Sequence, residues 1–248
     1  MFIKHMNNNY DDFVFVGEFG YSNGLLYNKY IETGDVSYIT SLLDYYSIDN
    51  RAMRYNFWKK LYEYNMTLPT EKRLTIIGMI SNSNYITDIR YLQTLVLSKK
   101  LSSEEHMKFE FIFDIDNYLT EEFDDNIDEI KQIINAVPYV IENYRNFLNN
   151  STIEEYQELL GVDYNDFMII MRNVVESHDA TTILLKIDNY TDYWLEFMAW
   201  RENRLYGSFL ELLEKHGEKK YLVWLGSAHI QQNSPTANAF NGNPPFAT

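Results

Sequence analysis

Three short apolar runs, each followed at once by glycine, constrain the fold more than any other feature of the chain. They are residues 13–16, 74–77 and 221–225. Each run is rich in β-branched or aromatic residues, which favour β-strands. Their apolar residues are continuous, which is typical of strands covered on both faces, as in a parallel sheet between helices. We therefore predict an α/β fold with a small, mainly parallel sheet flanked by helices.

Helix signals fill the segments between these runs. Asp35 is placed to cap a helix over residues 36–46, and residues 51–64 carry an apolar stripe along one helix face. That stripe consists of Met53, Phe57, Leu61 and Tyr64. Residues from about 85 to 190 are almost wholly helical in pattern, and Pro138 is expected to end or kink one of these helices. We interpret this region as a large helical insertion in the α/β domain.

Capping signals place further helix boundaries. Ser102 with Glu105 matches a capping box, and so does the pair of residues at 151 and 154. A long helix is predicted from Thr191, its N-cap candidate, to a basic last turn that stops at Gly217.

The domain organisation follows from this pattern. Residues 1–230 are predicted to form one α/β domain with the helical insertion at about 85–190. Residues 231–248 are rich in Asn, Pro, Gly and Ser, which indicates a loop-like or disordered tail. Both ends of the chain are expected to be the edges of a fragment.

Composition excludes several classes of function. The chain has no cysteine, so disulfides, thiolate metal sites and a cysteine nucleophile are excluded. A net charge of -15 argues against nucleic-acid or anionic-membrane partners, since phosphates attract Lys and Arg. No run approaches the roughly 20 apolar residues of a membrane helix, and no signal peptide is visible. We expect a cytoplasmic protein that acts on a small molecule.

Two polar side chains follow predicted strands at positions suited to chemistry. His229 lies in the loop after the third run, and Glu18 comes two residues after the first run. The carboxyl ends of parallel strands share one sheet edge, where α/β proteins bind their ligands. Histidine transfers protons near neutral pH, and a partly buried carboxylate can act as a base or orient the histidine. For both residues a structural role, as a solvated loop histidine or a helix-start charge, stays open.

Arginines are the third component of the predicted site. Arg201 continues the apolar stripe of the helix predicted from Thr191, and an arginine facing a core requires a carboxylate partner. It could fix Glu18 or clamp an anionic transition state, or it could form a purely structural salt bridge. Arg54 shares its helix with Met53 and Phe57 and is a weaker candidate of the same kind.

Other signatures of chemistry are missing from the sequence. It contains no glycine-rich phosphate loop, no His-Glu-x-x-His and no Gly-x-Ser-x-Gly, so we expect no cofactor. A metal site built from Glu18 and His229 would need further acidic ligands from the helical insertion.

Two stretches resemble the erythromycin esterase-like family. Residues 18–35 are similar to its second strand-helix unit, and residues 200–206 with 223–230 are similar to its late helix and final histidine-bearing strand. The Gly-x-x-His ending also resembles the wider group of ChaN-like and TraB/Tiki proteins. The resemblance implies hydrolysis in which His229 activates water, with Glu18 as the acidic residue and Arg201 as the helix arginine.

The sequence departs from the family pattern at two points. Gly17-Glu18 is not followed by the early histidine of the family, and Gly78 is not followed by the expected acidic residue. The resemblance therefore leaves two readings. One is an esterase-like hydrolase using Glu18, Arg201 and His229, and the other is a non-catalytic binding or interaction module with a decayed site.

Overall fold

The structure is a computed structural model. The residues it describes are 2–9, 13–44, 48–80, 85–117, 138–150, 153–185, 190–217 and 219–224. The helices among them are α1 (Phe2–Asn9), α2 (Tyr21–Thr33), α3 (Ser37–Asp44), α4 (Ile48–Asn65), α5 (Tyr85–Ser98), α6 (Ser103–Met107), α7 (Pro138–Asn150), α8 (Ile153–Leu160), α9 (Tyr164–Leu185) and α10 (Tyr190–His216). The strands are β1 (Phe13–Gly20), β2 (Thr75–Ile80) and β3 (Lys220–Trp224). Short 3-10 turns lie at Thr70–Lys72, Glu110–Ile112, Asp114–Asn117 and Gly161–Asp163.

The sheet has three strands in the order β2-β1-β3, and both pairings are parallel. The predicted α/β class with a parallel sheet, flanking helices and a helical insertion is confirmed. The strand bounds differ from the prediction at their carboxyl ends. β1 continues through Gly17 to Gly20, with an irregular register between those two residues, and β2 continues past Gly78. Glycine thus lies inside each of these strands and does not end it.

Each face of the sheet is covered by helices. Phe13, Phe15 and Ile76 pack in one core cluster with residues of α2, α3 and α4. Val14 and Val16 of β1 pack on the other face with Leu205 and Leu212 of α10. The continuous apolar sequence of β1 therefore reflects burial on both sides, as a central parallel strand requires.

The chain divides into two compact units. The first, here called the sheet unit, consists of Met1–Ile80 and Arg201–Thr248, and the second, the helical unit, of Ser81–Trp200. The predicted organisation into one domain with a tail stays a prediction. The core of the helical unit is built from fully buried side chains of α5, α7, α9 and the 3-10 turns. They include Ile89, Leu92, Phe109, Ile112, Tyr144, Phe167, Met171 and Val174.

Several predicted helix ends are confirmed. Ser102 forms the capping box, since its hydroxyl accepts from the Glu105 amide and its own amide donates to the Glu105 carboxylate at 2.7 Å. The Asp35 carboxylate accepts from the Ser37 amide at 2.9 Å, and hydrogen bonds from the Ser37 side chain and from this amide lower the pKa of Asp35. α10 ends at His216, directly before Gly217, whose φ is 68°, as predicted. The prediction of Thr191 as its N-cap is wrong, since Tyr190 before it already belongs to the helix. The predicted capping pair at residue 151 lies outside the described residues.

One helix prediction is wrong and another stays a prediction. Pro138 is the first described residue of α7, and the residues before it lie outside the described part of the chain, so the predicted end or kink of a helix at Pro138 is not tested. Met53 is 64% exposed and does not belong to the buried stripe of α4. The core face of that helix instead includes Trp58, Leu61 and Tyr64, which pack on the sheet.

Candidate functional site

The carboxyl ends of the three parallel strands lie at one edge of the sheet. Gly17 of β1 pairs with Gly78 of β2 and with Trp224 of β3, and both pairings are parallel, so the carboxyl-terminal parts of the three strands lie side by side. This is the edge at which ligands bind in open α/β folds, because the connecting loops can vary there without disturbing the sheet. We call it the carboxyl edge.

Glu18 occupies the central strand at this edge. It follows Gly17 directly and lies within the stretch where the register of β1 with β2 becomes irregular. Its side chain is 19% exposed, so the carboxylate is largely removed from bulk water. A carboxylate in that position is stabilised by a cationic partner.

Arg201 supplies this partner. Its Nη2 donates a hydrogen bond to Glu18 Oε1, and its side chain is 23% exposed. Leu205, one turn later in α10, is fully buried against β1, which anchors this part of the helix on the sheet. The chain thus brings together two predicted site residues that are 183 positions apart. Charge-assisted contacts of this kind are among the stronger hydrogen bonds in proteins.

A second cation of α10 reaches the start of α2. Lys215 Nζ donates to Tyr21 Oη at 2.7 Å and lies 5.4 Å from the centroid of the Tyr21 ring. Tyr21 is the first residue of α2, directly after the end of β1. Sequence reasoning missed this pair because neither residue carries a motif. The signal that could have found it is a tyrosine directly after a strand, facing a helix that ends in basic residues.

The remaining predicted site residues have different outcomes. Arg54 is exposed on α4, which covers the sheet face opposite to α10. His229 lies outside the described residues, so its approach to Glu18 stays a prediction. β3 is described as far as Trp224 at the carboxyl edge, five positions before His229.

The end of β2 presents apolar side chains toward the core. Met79, directly after Gly78, is only 3% exposed and packs with Val14 and Val16. It stands where the family resemblance implies an acidic residue. Within the described residues, no three His, Asp or Glu side chains come together as metal ligands. Among the described residues of the carboxyl edge, Glu18 therefore provides the carboxylate that contacts a cation.

No protein family profile matches the sequence, and no curated protein is significantly similar to it. Comparison of structures gives two likenesses. A mutant of the erythromycin esterase EreC in its open conformation aligns with a TM-score of 0.55 and 10% identity, over 94% of this chain and 57% of that one. A protein from Bacillus cereus aligns with a TM-score of 0.43 and 16% identity, over 90% of this chain and 50% of that one.

The first of these likenesses defines the class of fold. The protein is an α/β protein structurally related to the fold of erythromycin esterase. It spans about 57% of the length of that enzyme. In the described part of the chain, no helix is long and apolar enough to cross a membrane.

Proposed function

We propose that the protein is an esterase-like hydrolase whose reaction centre lies at the carboxyl edge of the sheet. The observation that carries the proposal is the contact between Glu18 and Arg201, a largely buried carboxylate and guanidinium at that edge. The related fold of an erythromycin esterase supports the reaction class. The ligand in this proposal is a small-molecule ester, and the site of action is the cytoplasm.

In the proposed mechanism His229 is the general base that takes a proton from the attacking water. Glu18 orients that histidine or holds the proton, and Arg201 fixes the Glu18 carboxylate. A guanidinium carries five N–H donors in a planar fork. The positive charge of this guanidinium would stabilise the oxyanion that develops on the ester carbonyl. A positioned general base contributes about 10²–10⁴-fold to the rate.

A second candidate function is a binding module that performs no chemistry. Met79 favours it, because a buried thioether stands where the resemblance implies a carboxylate. The sequence after Glu18 favours it too, since Phe19, Gly20 and Tyr21 take the place of the early histidine. In this reading the Glu18–Arg201 pair would hold the edge of the sheet in place and a ligand would bind unchanged.

An ester-hydrolysis screen separates the two candidates. The purified protein is compared with His229→Ala, Glu18→Gln and the control His5→Ala, whose side chain is exposed on α1. We expect His229→Ala to lose about 10²–10⁴-fold in kcat, and His5→Ala to match the unmodified protein. Full activity in His229→Ala would refute the assigned role. The absence of turnover across short-chain, aryl and lactone esters would favour the binding module.

A further inference from the structure

An exposed apolar patch lies on the sheet unit at the end of β3. Trp224 is 54% exposed and Met53 of α4 is 64% exposed. Phe57 connects them, because its ring centroid is 5.7 Å from that of Trp224 and it lies one helical turn after Met53. We call Met53, Phe57 and Trp224 the Trp224 patch. Contiguous exposed apolar side chains of this kind are typical of binding surfaces.

One side of the Trp224 indole packs against aromatic side chains of the core. Its centroid is 5.9 Å from that of the buried Phe15 ring, and Phe57 in turn lies 5.2 Å from Trp58. Trp58 stacks on Tyr27 at 3.7 Å and is itself buried. The exposed indole is therefore the outer end of a packed aromatic cluster. A surface fixed in this way loses little conformational freedom when a ligand is seated on it.

The Trp224 patch adjoins the candidate site. Trp224 pairs with Gly17, and Glu18 is the next residue along the central strand. With strands about 4.8 Å apart and a rise of about 3.3 Å per residue, the Cα atoms of Trp224 and Glu18 are about 6 Å apart. Their side chains belong to opposite faces, since Trp224 contacts Phe57 of α4 and Glu18 contacts Arg201 of α10. A ligand lying across the ends of the strands would span both.

We infer that the site takes an ester with a flat aromatic group, which stacks on Trp224 while the ester bond lies over Glu18 and Arg201. This inference rests on the proposed function. An indole favours offset or edge-to-face contact with another ring, and the sulfur of Met53, one helical turn from Phe57, adds to the attraction for an aromatic ligand. In the reaction, water gives its oxygen to the acyl carbon, the ester C–O bond breaks, and the leaving alcohol takes up a proton.

Substrate preference in variants tests the inference. The rates with 2-naphthyl acetate and with ethyl acetate are measured for the unmodified protein, Trp224→Ala and the control Tyr206→Ala. Tyr206 is also 54% exposed but lies on α10. Trp224→Ala should lower kcat/KM for the naphthyl ester about tenfold, mainly through KM, and leave ethyl acetate within about twofold. Tyr206→Ala should change neither. An equal loss on both esters, or no loss, in Trp224→Ala would overturn the inference.

Direct binding separates this inference from the proposed hydrolysis. The uncleaved analogue N-(2-naphthyl)acetamide is titrated into the same proteins and into Met53→Ala, whose exposed side chain can be shortened without a core cavity. We expect Trp224→Ala to weaken binding about tenfold and Met53→Ala about threefold. Binding that depends on Trp224 without any ester turnover would refute the hydrolase and keep the aromatic site. Failure of the unmodified protein to bind the amide would refute the aromatic site, whatever the hydrolysis screen shows.

Discussion

At the scale of single residues, the Glu18–Arg201 pair joins two largely buried opposite charges at the carboxyl edge. Each side chain is only about a fifth exposed, so removing one partner leaves the other charge poorly solvated. We predict that Arg201→Leu lowers the free energy of unfolding by about 1–3 kcal/mol, after allowance for partial exposure. Urea denaturation measures it.

A double variant, Glu18→Gln with Arg201→Leu, shows whether the loss of stability comes from the Glu18–Arg201 contact. Glu18→Gln in the Arg201→Leu background should restore part of the lost stability, because the carboxylate that lost the Arg201 guanidinium is gone. If the two substitutions destabilise additively, the contact contributes no coupling energy. The loss of stability in Arg201→Leu would then not be due to the broken contact with Glu18.

The side chain of Asn65 forms hydrogen bonds with two backbone groups. It is fully buried, donates from Nδ2 to the Ile31 carbonyl at 2.9 Å, and accepts at Oδ1 from the Leu74 amide at 2.8 Å. We predict that Asn65→Ala destabilises the protein by about 2–4 kcal/mol, because two buried backbone groups lose their partners. Thermal and urea unfolding measure the effect. The control Asn203→Ala, exposed on α10, should stay within about 0.5 kcal/mol, and similar losses in both would contradict the explanation.

At the scale of elements, α2 packs on β2 with no side chain between their backbones. A Cβ on Gly24 would lie 2.3 Å from the Gly78 amide nitrogen, which is a backbone clash. We predict that Gly24→Ala costs at least about 2 kcal/mol, since the helix must move away from the strand. Gly207→Ala is the matched control, because a Cβ there meets only Arg204 Nη1 at 3.9 Å. That variant should be neutral or gain up to about 1 kcal/mol in circular-dichroism melts, and the opposite ranking would contradict the packing.

The contact of α5 with α9 buries a histidine. His178 is 4% exposed, its ring lies 6.0 Å from that of Tyr85, and burial lowers its pKa. The charges around it are Asp179, which raises the pKa, and Arg145, which lowers it, and these two are paired with each other. Burial also raises the pKa of Tyr85 to about 12, so the phenol stays neutral. The unfolded chain therefore binds a proton at His178 more readily than the folded chain does.

This difference predicts how stability depends on pH. The contribution of neutral His178 is fully present above about pH 6.5, the unfolded pKa, and is lost as the pH falls below that value toward the lower folded pKa. We predict that His178→Gln shows a smaller loss of stability between pH 7 and pH 5 than the unmodified protein. The control His5→Gln, exposed on α1, should keep the original slope. An unchanged slope in His178→Gln would show that His178 does not titrate on unfolding.

At the scale of the whole molecule, the net charge of -15 acts on every part of the fold. Self-repulsion among excess carboxylates destabilises the compact state, and salt screens it over a Debye length of about 8–10 Å. We predict that raising NaCl from about 20 to about 200 mM increases the melting temperature at pH 7. A decrease would mean that attractive pairs such as Arg145–Asp179 outweigh the general repulsion.

The sequence allowed the parallel sheet to be predicted because the three apolar runs were local and bounded by glycine. The partnership of Arg201 with a carboxylate was predictable too, because an arginine in an apolar stripe has few physical alternatives. The length of β1 was not predictable, since its continuation past Gly17 depends on an irregular register with β2. The exposure of Met53 was also missed, because helical spacing shows which residues share a face but not where the sheet beneath that face ends.

The position of β1 between β2 and β3 has a consequence for biosynthesis. β2 follows β1 within about 60 residues, whereas β3 is translated only after the whole helical unit has emerged. Until then the nascent chain exposes one side of its central strand as an unpaired backbone edge, open to pairing with a neighbouring polypeptide. A chain whose synthesis stops before Lys220 would lack β3, so one edge of β1 would stay unpaired in the sheet.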